Sequence, residues 1–270
     1  GVACCSFLRS LLGGRLLLGE ADSIASWLFN TKVCLMKWIG STALILGVSL
    51  TQLAAGANVF VDFGESSQLT AGNFNNIVVN SPATLSIADM VDEGGANTGV
   101  GISISGFFPG SNSTGQTAPA GDAAALFPVT ATRDNAFGHT GPFSGNPDAS
   151  LGTVSLTGLN PALTYDFTFF ASRTGVSDNR ETAYDISGAN SGVGYLNASA
   201  NVDTVVTVAG IQPTGSGAVS IDVSAGPNND NGSRFYYLGA MMITTAIPEP
   251  TSALLAMTAV GFVLARRRRA

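Results

Sequence analysis

The chain has 270 residues and a formal net charge of -6, but that charge is unevenly placed: from Asn58 to Ala246 there are four Arg, no Lys and fifteen Asp or Glu, so 4 - 15 = -11. An acidic domain of this kind is kept soluble by self-repulsion, which argues against nucleic acid and anionic lipid as partners because both require a basic face, and DNA and RNA are excluded. Cys4, Cys5 and Cys34 all precede Met36, so the rest of the chain has no disulfide, thiol nucleophile or thiolate metal site and must be held by an apolar core.

Residues 1–35 contain a Leu-rich piece, Phe7 to Leu18, with no visible role in export. They read as an upstream extension from a start site placed too early, or as a long n-region that is made and removed; both readings exclude them from the fold. From Met36 to Ala57 the elements of a signal peptide follow in order. Lys37 is the positive n-region, Ile39 to Leu50 the apolar stretch, and Ala55-Gly56-Ala57 the small-x-small site, which predicts cleavage by signal peptidase between Ala57 and Asn58. The apolar stretch is too short for an ordinary membrane span.

Between Asn58 and Ala246, short alternating runs predict strands over Val59–Phe63, Ile77–Val79, Thr84–Ile87, Val100–Ser105, Leu126–Ala131, Val154–Leu156, Tyr165–Phe170, Thr182–Ile186, Asp203–Val208, Ala218–Val223 and Phe235–Thr244. In the clearest of them Val219, Ile221 and Val223 share one face and Ser220 and Asp222 the other, as in a sheet half-buried against a second sheet. No stretch keeps a convincing helical period, and Gly, Asn, Pro and Ser clusters punctuate the runs. The expected fold is all-β, an antiparallel jelly-roll-like β-sandwich over residues 58–246.

The inventory of reactive groups in this region is short. His139 is the one histidine, it sits in a Gly-rich stretch that reads as a loop, and no Gly-x-Ser-x-Gly motif accompanies it. If it served as a base, Asp134 or Asp148 would be its orienting acid. The densest polar cluster is Asp178-Asn179-Arg180-Glu181. Arg180 and Glu181 are candidate glycan contacts, offering a donor fork and an acceptor to sugar hydroxyls beside Tyr184 as a stacking ring. The same residues also read structurally, with Asp178-Asn179 as a turn, Arg180 paired to Asp166 or Glu181, and Tyr184 in the core. Asn228 to Asn231 offer oxygens to a Ca2+ ion, although their spacing misses the EF-hand loop and a solvated turn is the alternative. No other cofactor or metal is expected.

After Ala246 the chain reads Ile247-Pro248-Glu249-Pro250-Thr251-Ser252, then the apolar run Ala253 to Ala265, then Arg266, Arg267, Arg268 and Arg269. Thirteen helical residues reach only about 20 Å, short of a bilayer core of roughly 30 Å, so flanking arginines must snorkel. Those arginines act as a membrane stop and hold the terminus on the cytoplasmic side. An ordinary anchor accounts for the run and the arginines but not for the two prolines before them, which fix an extended segment. This tripartite tail, residues 247–270, resembles the PEP-CTERM sorting signal. The resemblance implies a Gram-negative cell in which an exosortase reads Pro248, Glu249 and Pro250, removes the transmembrane helix and passes the protein outward. It implies nothing about cargo activity.

The cargo resembles, less specifically, secreted bacterial β-sandwich modules, some of which accompany SGNH-type carbohydrate esterases. The similarity rests on Val61-Asp62-Phe63-Gly64, on Gly158 to Arg173, on Asp178 to Thr182 with Tyr184, and on Phe235 to Ala240. It implies a carbohydrate context without supplying a site. The expectation is an exported, exosortase-sorted protein of the cell surface or extracellular matrix, anchored transiently in the inner membrane, non-catalytic, and glycan-binding or structural in exopolysaccharide; a secreted carbohydrate-active hydrolase or esterase is the alternative.

Overall fold

The computed structural model describes residues 57–81 and 85–246. The expected signal peptide through Gly56, with Ala55, lies outside them, as does the tail from Ile247, with Pro248, Glu249, Pro250 and Arg266 to Arg269. Among the described residues no helix is long and apolar enough to cross a membrane.

Fourteen strands lie among the described residues. In chain order these are β1 (Asn58–Gly64), β2 (Phe74–Val78), β3 (Ser86–Ile87), β4 (Gly101–Ser105), β5 (Ser111–Asn112), β6 (Asn135–Gly138), β7 (Gly152–Thr157), β8 (Thr164–Phe170), β9 (Glu181–Ser187), β10 (Ser191–Asn197), β11 (Val206–Ile211), β12 (Val219–Ala225), β13 (Tyr236–Leu238) and β14 (Ala240–Ala246). Alternation of buried and more exposed side chains is clearest in strands such as β7, β9 and β12. They form a five-stranded sheet in the order β11-β8-β14-β1-β2, a six-stranded sheet in the order β10-β9-β12-β7-β4-β3, and a small sheet, β13-β6-β5. All pairings are antiparallel except β1 with β2, where the 3-10 turn Ser66–Gln68 begins the return of the chain to run beside β1 in the same direction. The architecture is all-β and sandwich-like.

The inward faces of the two large sheets make one core. Val61, Phe63, Phe167 and Phe169 from the first meet Val154, Tyr184, Ile186 and Ile221 from the second, all completely buried. Phe169 and Tyr184 stack across the gap at 4.3 Å, only 6° from parallel. Removing each such side chain from water contributes about 1.5–3 kcal/mol, which is how a domain without disulfides is held.

Three expectations need correction. Leu126–Ala131 is not a strand: helices α1 (Gly121–Leu126) and α2 (Val129–Thr132) flank Phe127 and Pro128 there. Ala123, Phe127 and Ala131 recur every four residues and bury one face against Phe170 and Ala240, on the outer side of the five-stranded sheet. Phe235–Thr244 is not continuous, because the chain passes from the small sheet to the five-stranded one at Gly239. A β-carbon at Gly239 would lie 2.8 Å from Asn135 Oδ1, so the crossing point has room only for glycine. Strand β10, Ser-Gly-Val-Gly-Tyr-Leu-Asn, was not expected at all. Its glycines serve packing, since β-carbons at Gly192 and Gly194 would press to 2.7 Å and 2.9 Å against Val208 and Val206 of β11.

Candidate functional site

The three candidate glycan contacts come together without forming a platform. Tyr184 is completely buried: its ring lies on Phe169 and its hydroxyl donates to the Tyr237 carbonyl at 2.8 Å. Burial drives its pKa far up, and the ring cannot stack on a sugar. Arg180 pairs neither with Asp166 nor with Glu181. Its Nε donates to Asp178 Oδ1 and Oδ2 at 3.0 and 3.2 Å, an Nη donates to the Tyr237 hydroxyl at 2.6 Å, and the guanidinium lies 5.4 Å over the Phe235 ring. Burial pulls the Arg180 pKa down, but Asp178 and Tyr237 outweigh it and the net shift is upward. Asp178 answers in the opposite sense: burial raises it, and the bonds from Arg180 and Asn231 lower it further than burial lifts it. Glu181 accepts from the backbone and side chain of Asn228 at 2.9 and 3.1 Å. The cluster is a brace that ties β9 to the 226–235 turn.

That turn uses the oxygens a Ca2+ ion would need. Asn229 Oδ1 accepts from the Asn231 N–H, Asn231 Oδ1 from the N–H groups of Ser233 and Phe235, and Asp230 Oδ1 from the Asn179 N–H. Asn229 Nδ2 donates to the carbonyls of Glu181 and Phe235. The Asn run is a self-satisfied series of Asx turns.

His139 is not a surface residue. It continues β6, pairs with Ala149 through both backbone groups, and is completely buried among Phe108, Phe143 and Phe235, with ring centroids at 5.9, 5.1 and 5.8 Å. Its Nδ1 lies 2.9 Å from the Gly141 carbonyl, which fixes the proton on Nδ1 and leaves the buried Nε2 without a partner. Asp148 stands 3.9 Å from the same Nδ1 but is 60 % exposed. Asp134 belongs to a different neighbourhood, where its carboxylate accepts from the Glu65 N–H. Nδ1 thus turns to a carbonyl and Nε2 to a packed interior, and the arrangement activates no nucleophile.

The outer face of the six-stranded sheet carries a feature that the linear sequence hides. Register places Ser86 opposite Ser103, Ser103 opposite Ser155, Ser155 opposite Ser220, Ser220 opposite Ser187, and Ser187 opposite Ser191. One serine from each of six strands therefore lines up in a row across the whole sheet, roughly 24 Å at the usual strand spacing. Each is outward and at least partly exposed, and none of the six hydroxyls bonds to another described residue. The next row holds Ser105, Thr153, Asp222, Asp185 and Val193, with Thr153 donating to Asp222 at 2.9 Å. Tyr195 stands on the same face of β10 at 47 % exposure. A shallow depression at the β3–β4–β7 end is lined by Ser86, Ser103, Ser155 and Thr157. Such a face offers hydroxyls that both donate and accept, two carboxylates, and one free aromatic ring. Sequence reasoning missed it because its serines come from six separate segments, and only the register aligns them.

No family model matches the chain, and no curated protein matches it. Among solved structures it is similar to the plant receptor-like kinase ANX2, at 14 % identity and a TM-score of 0.31, over 54 % of this chain and 43 % of that one. It is likewise similar to the ANXUR1 extracellular domain from Arabidopsis thaliana, at 10 % identity and a TM-score of 0.31, over 52 % of this chain and 41 % of that one. The chain spans less than half the length of these structures, and the likeness is too slight to bear on a site or a partner.

Proposed function

We propose that the chain is an exported surface protein, cleaved by signal peptidase before Asn58, sorted by an exosortase through Pro248-Glu249-Pro250, and non-catalytic in its cargo domain. In this reading the domain is a jelly-roll-like sandwich that binds extracellular polysaccharide through the outer face of its six-stranded sheet. The pairing of the first strand with the last, β1 with β14, supports the jelly-roll reading. Strand β1 begins at Asn58, so cleavage before that residue would remove none of the described strands, which supports the proposed cleavage site.

The observation that carries the glycan reading is the six-serine row. Hydroxyls without intramolecular partners stay hydrated until a ligand replaces the water, and a polyol replaces it with bonds of the same kind. Fixed on a sheet, the groups lose little conformational freedom on binding. Tyr195, rather than Tyr184, supplies the stacking ring, and Arg180 and Glu181 brace the distal turn without touching ligand. Presenting residues 58–246 to an array of bacterial and plant polysaccharides tests the reading. Retention on one or more neutral or hydroxyl-rich polymers is expected, and retention on none contradicts it. The hydrolase alternative lacks a comparable observation, because His139 and the carboxylates with raised pKa are buried away from any substrate.

A further inference from the structure

Asp62 and Asp134 hold carboxyl groups where ionisation is hardest. Asp62 projects from the outer side of β1, where α2 packs, and is 2 % exposed; Asp134 comes two residues after α2 and is completely buried. Gly64, two positions along the same side of β1, makes room for the second acid. A β-carbon there would fall 2.0 Å from Asp134 Oδ2, so this carboxyl lies over Gly64, alongside Asp62.

Each group has one oxygen held and one oxygen orphaned. The Thr70 N–H donates to Asp62 Oδ2 at 3.2 Å, and the Glu65 N–H donates to Asp134 Oδ2 at 2.8 Å. Among the described residues neither Oδ1 atom, both buried, has a hydrogen-bond partner, nor does Arg133 Nε. Among the described residues no cation forms an ion pair with either acid. A carboxylate in this position has lost water and gained too little in return, and an acidic neighbour worsens the deficit. Protonation relieves it by removing the buried charge.

We infer that Asp62 and Asp134 form a proton-holding latch, which fastens the 65–70 turn and the turn after α2 to the end of β1 in mildly acidic surroundings and loosens them as the pH rises. The parts it fastens are already linked: Thr70 Oγ1 donates to Thr130 Oγ1 of α2 at 2.9 Å, and Asn76 Oδ1 on β2 accepts from the Thr70 N–H at 2.8 Å. The charged groups bearing on the pair are Glu65, Arg133 and the two acids themselves. Burial is the largest influence on both, raising Asp62 to about 7 and Asp134 to about 6 from 3.8; the hydrogen bonds from Thr70 and Glu65 and the Arg133 charge offset it only in part. Because both folded pKa values lie above the unfolded one, the native state holds protons that the unfolded chain has released. The stability contributed by the pair is therefore fully present below about pH 4, is lost through the window from about 4 to 7, and levels off above it.

Thermal unfolding of the full-length chain from pH 4 to 8.5 at fixed ionic strength reads this directly. The Tm of the unaltered chain is expected to fall by roughly 5–10 °C across the window. Asp62→Asn and Asp134→Asn, each a neutral copy of the protonated state, should flatten the profile and raise Tm at pH 8 above that of the unaltered chain. Asp122→Asn, an exposed acid, should keep the original slope. A flat profile for the unaltered chain, or an unchanged slope in both Asn variants, overturns the inference. So does full recovery of Tm at pH 8 on adding millimolar Ca2+, since a cation would then be the occupant. If neither Asn variant folds, hydrogen exchange on the unaltered chain decides: corrected protection of the Glu65 and Thr70 amides must fall from pH 5 to 8, and constant protection refutes the latch.

Discussion

Tyr184→Phe separates a core residue from a ligand contact with one atom. The substitution keeps the ring and its 4.3 Å stack on Phe169, and removes only the hydroxyl that donates to the Tyr237 carbonyl at 2.8 Å. That carbonyl belongs to a residue that is 1 % exposed, so it is left without the bond and without water. A lost buried hydrogen bond of this kind costs about 1–2 kcal/mol, which in a domain of this size lowers Tm by roughly 2–8 °C. Truncation to Ala would also remove the ring and cost about 3–5 kcal/mol, a large part of a total stability of about 5–15 kcal/mol. Thermal unfolding followed by circular dichroism, with glycan binding measured on the same sample below Tm, gives both readouts. The expected result is a lower Tm with unchanged affinity. Unchanged Tm with weakened binding would refute the placement of Tyr184 in the core and return it to the ligand.

Mass spectrometry of the protein exported from a Gram-negative host should find Asn58 at the mature N-terminus; intact Met36 would defeat the assigned signal peptide. Replacing Pro248, Glu249 and Pro250 by alanines leaves the apolar run and the arginines in place, so the protein should stay membrane-bound and unprocessed, whereas normal release would show that the motif is not read. His139→Ala leaves a cavity between Phe108, Phe143 and Phe235 and should cost about 2–3 kcal/mol. Residues 58–246 should hydrolyse neither acetylated nor glycosidic substrates with or without it, and turnover abolished by the substitution would promote the enzyme.

What the sequence discloses here follows the strength of its local pattern. The alternation of β12 was legible because Val219, Ile221 and Val223 are large and the residues between them polar. The helices escaped notice because their buried face is built mainly from alanine, which carries little hydrophobic signal, and because Pro128 divides them. Strand β10 escaped for the opposite reason: Gly192 and Gly194 read as loop, while their actual service is to let β11 approach. Tyr184 and Tyr195 both lie on strands, β9 and β10, yet one closes the core and the other stands in solvent. Parity along a strand does not say which face is inward until the partner sheet is known. His139 reads as a loop residue because the glycines around it signal turns, and its burial depends on Phe108 and Phe235 from distant segments as well as on the nearby Phe143. The acid pair was equally hidden, since Asp62 and Asp134 meet only through the packing of α2 on β1.

The glycan-binding face is tested most directly by altering the serine row alone. Ser103→Gln, Ser155→Gln and Ser220→Gln together keep the face polar and should change stability by no more than about 0.5 kcal/mol per site, but raise longer side chains through the middle of the row. Cosedimentation of residues 58–246 with the polysaccharide that retains the unaltered domain is the measurement. The account predicts at least a tenfold loss of affinity with Tm preserved; undiminished binding by the triple variant would contradict it.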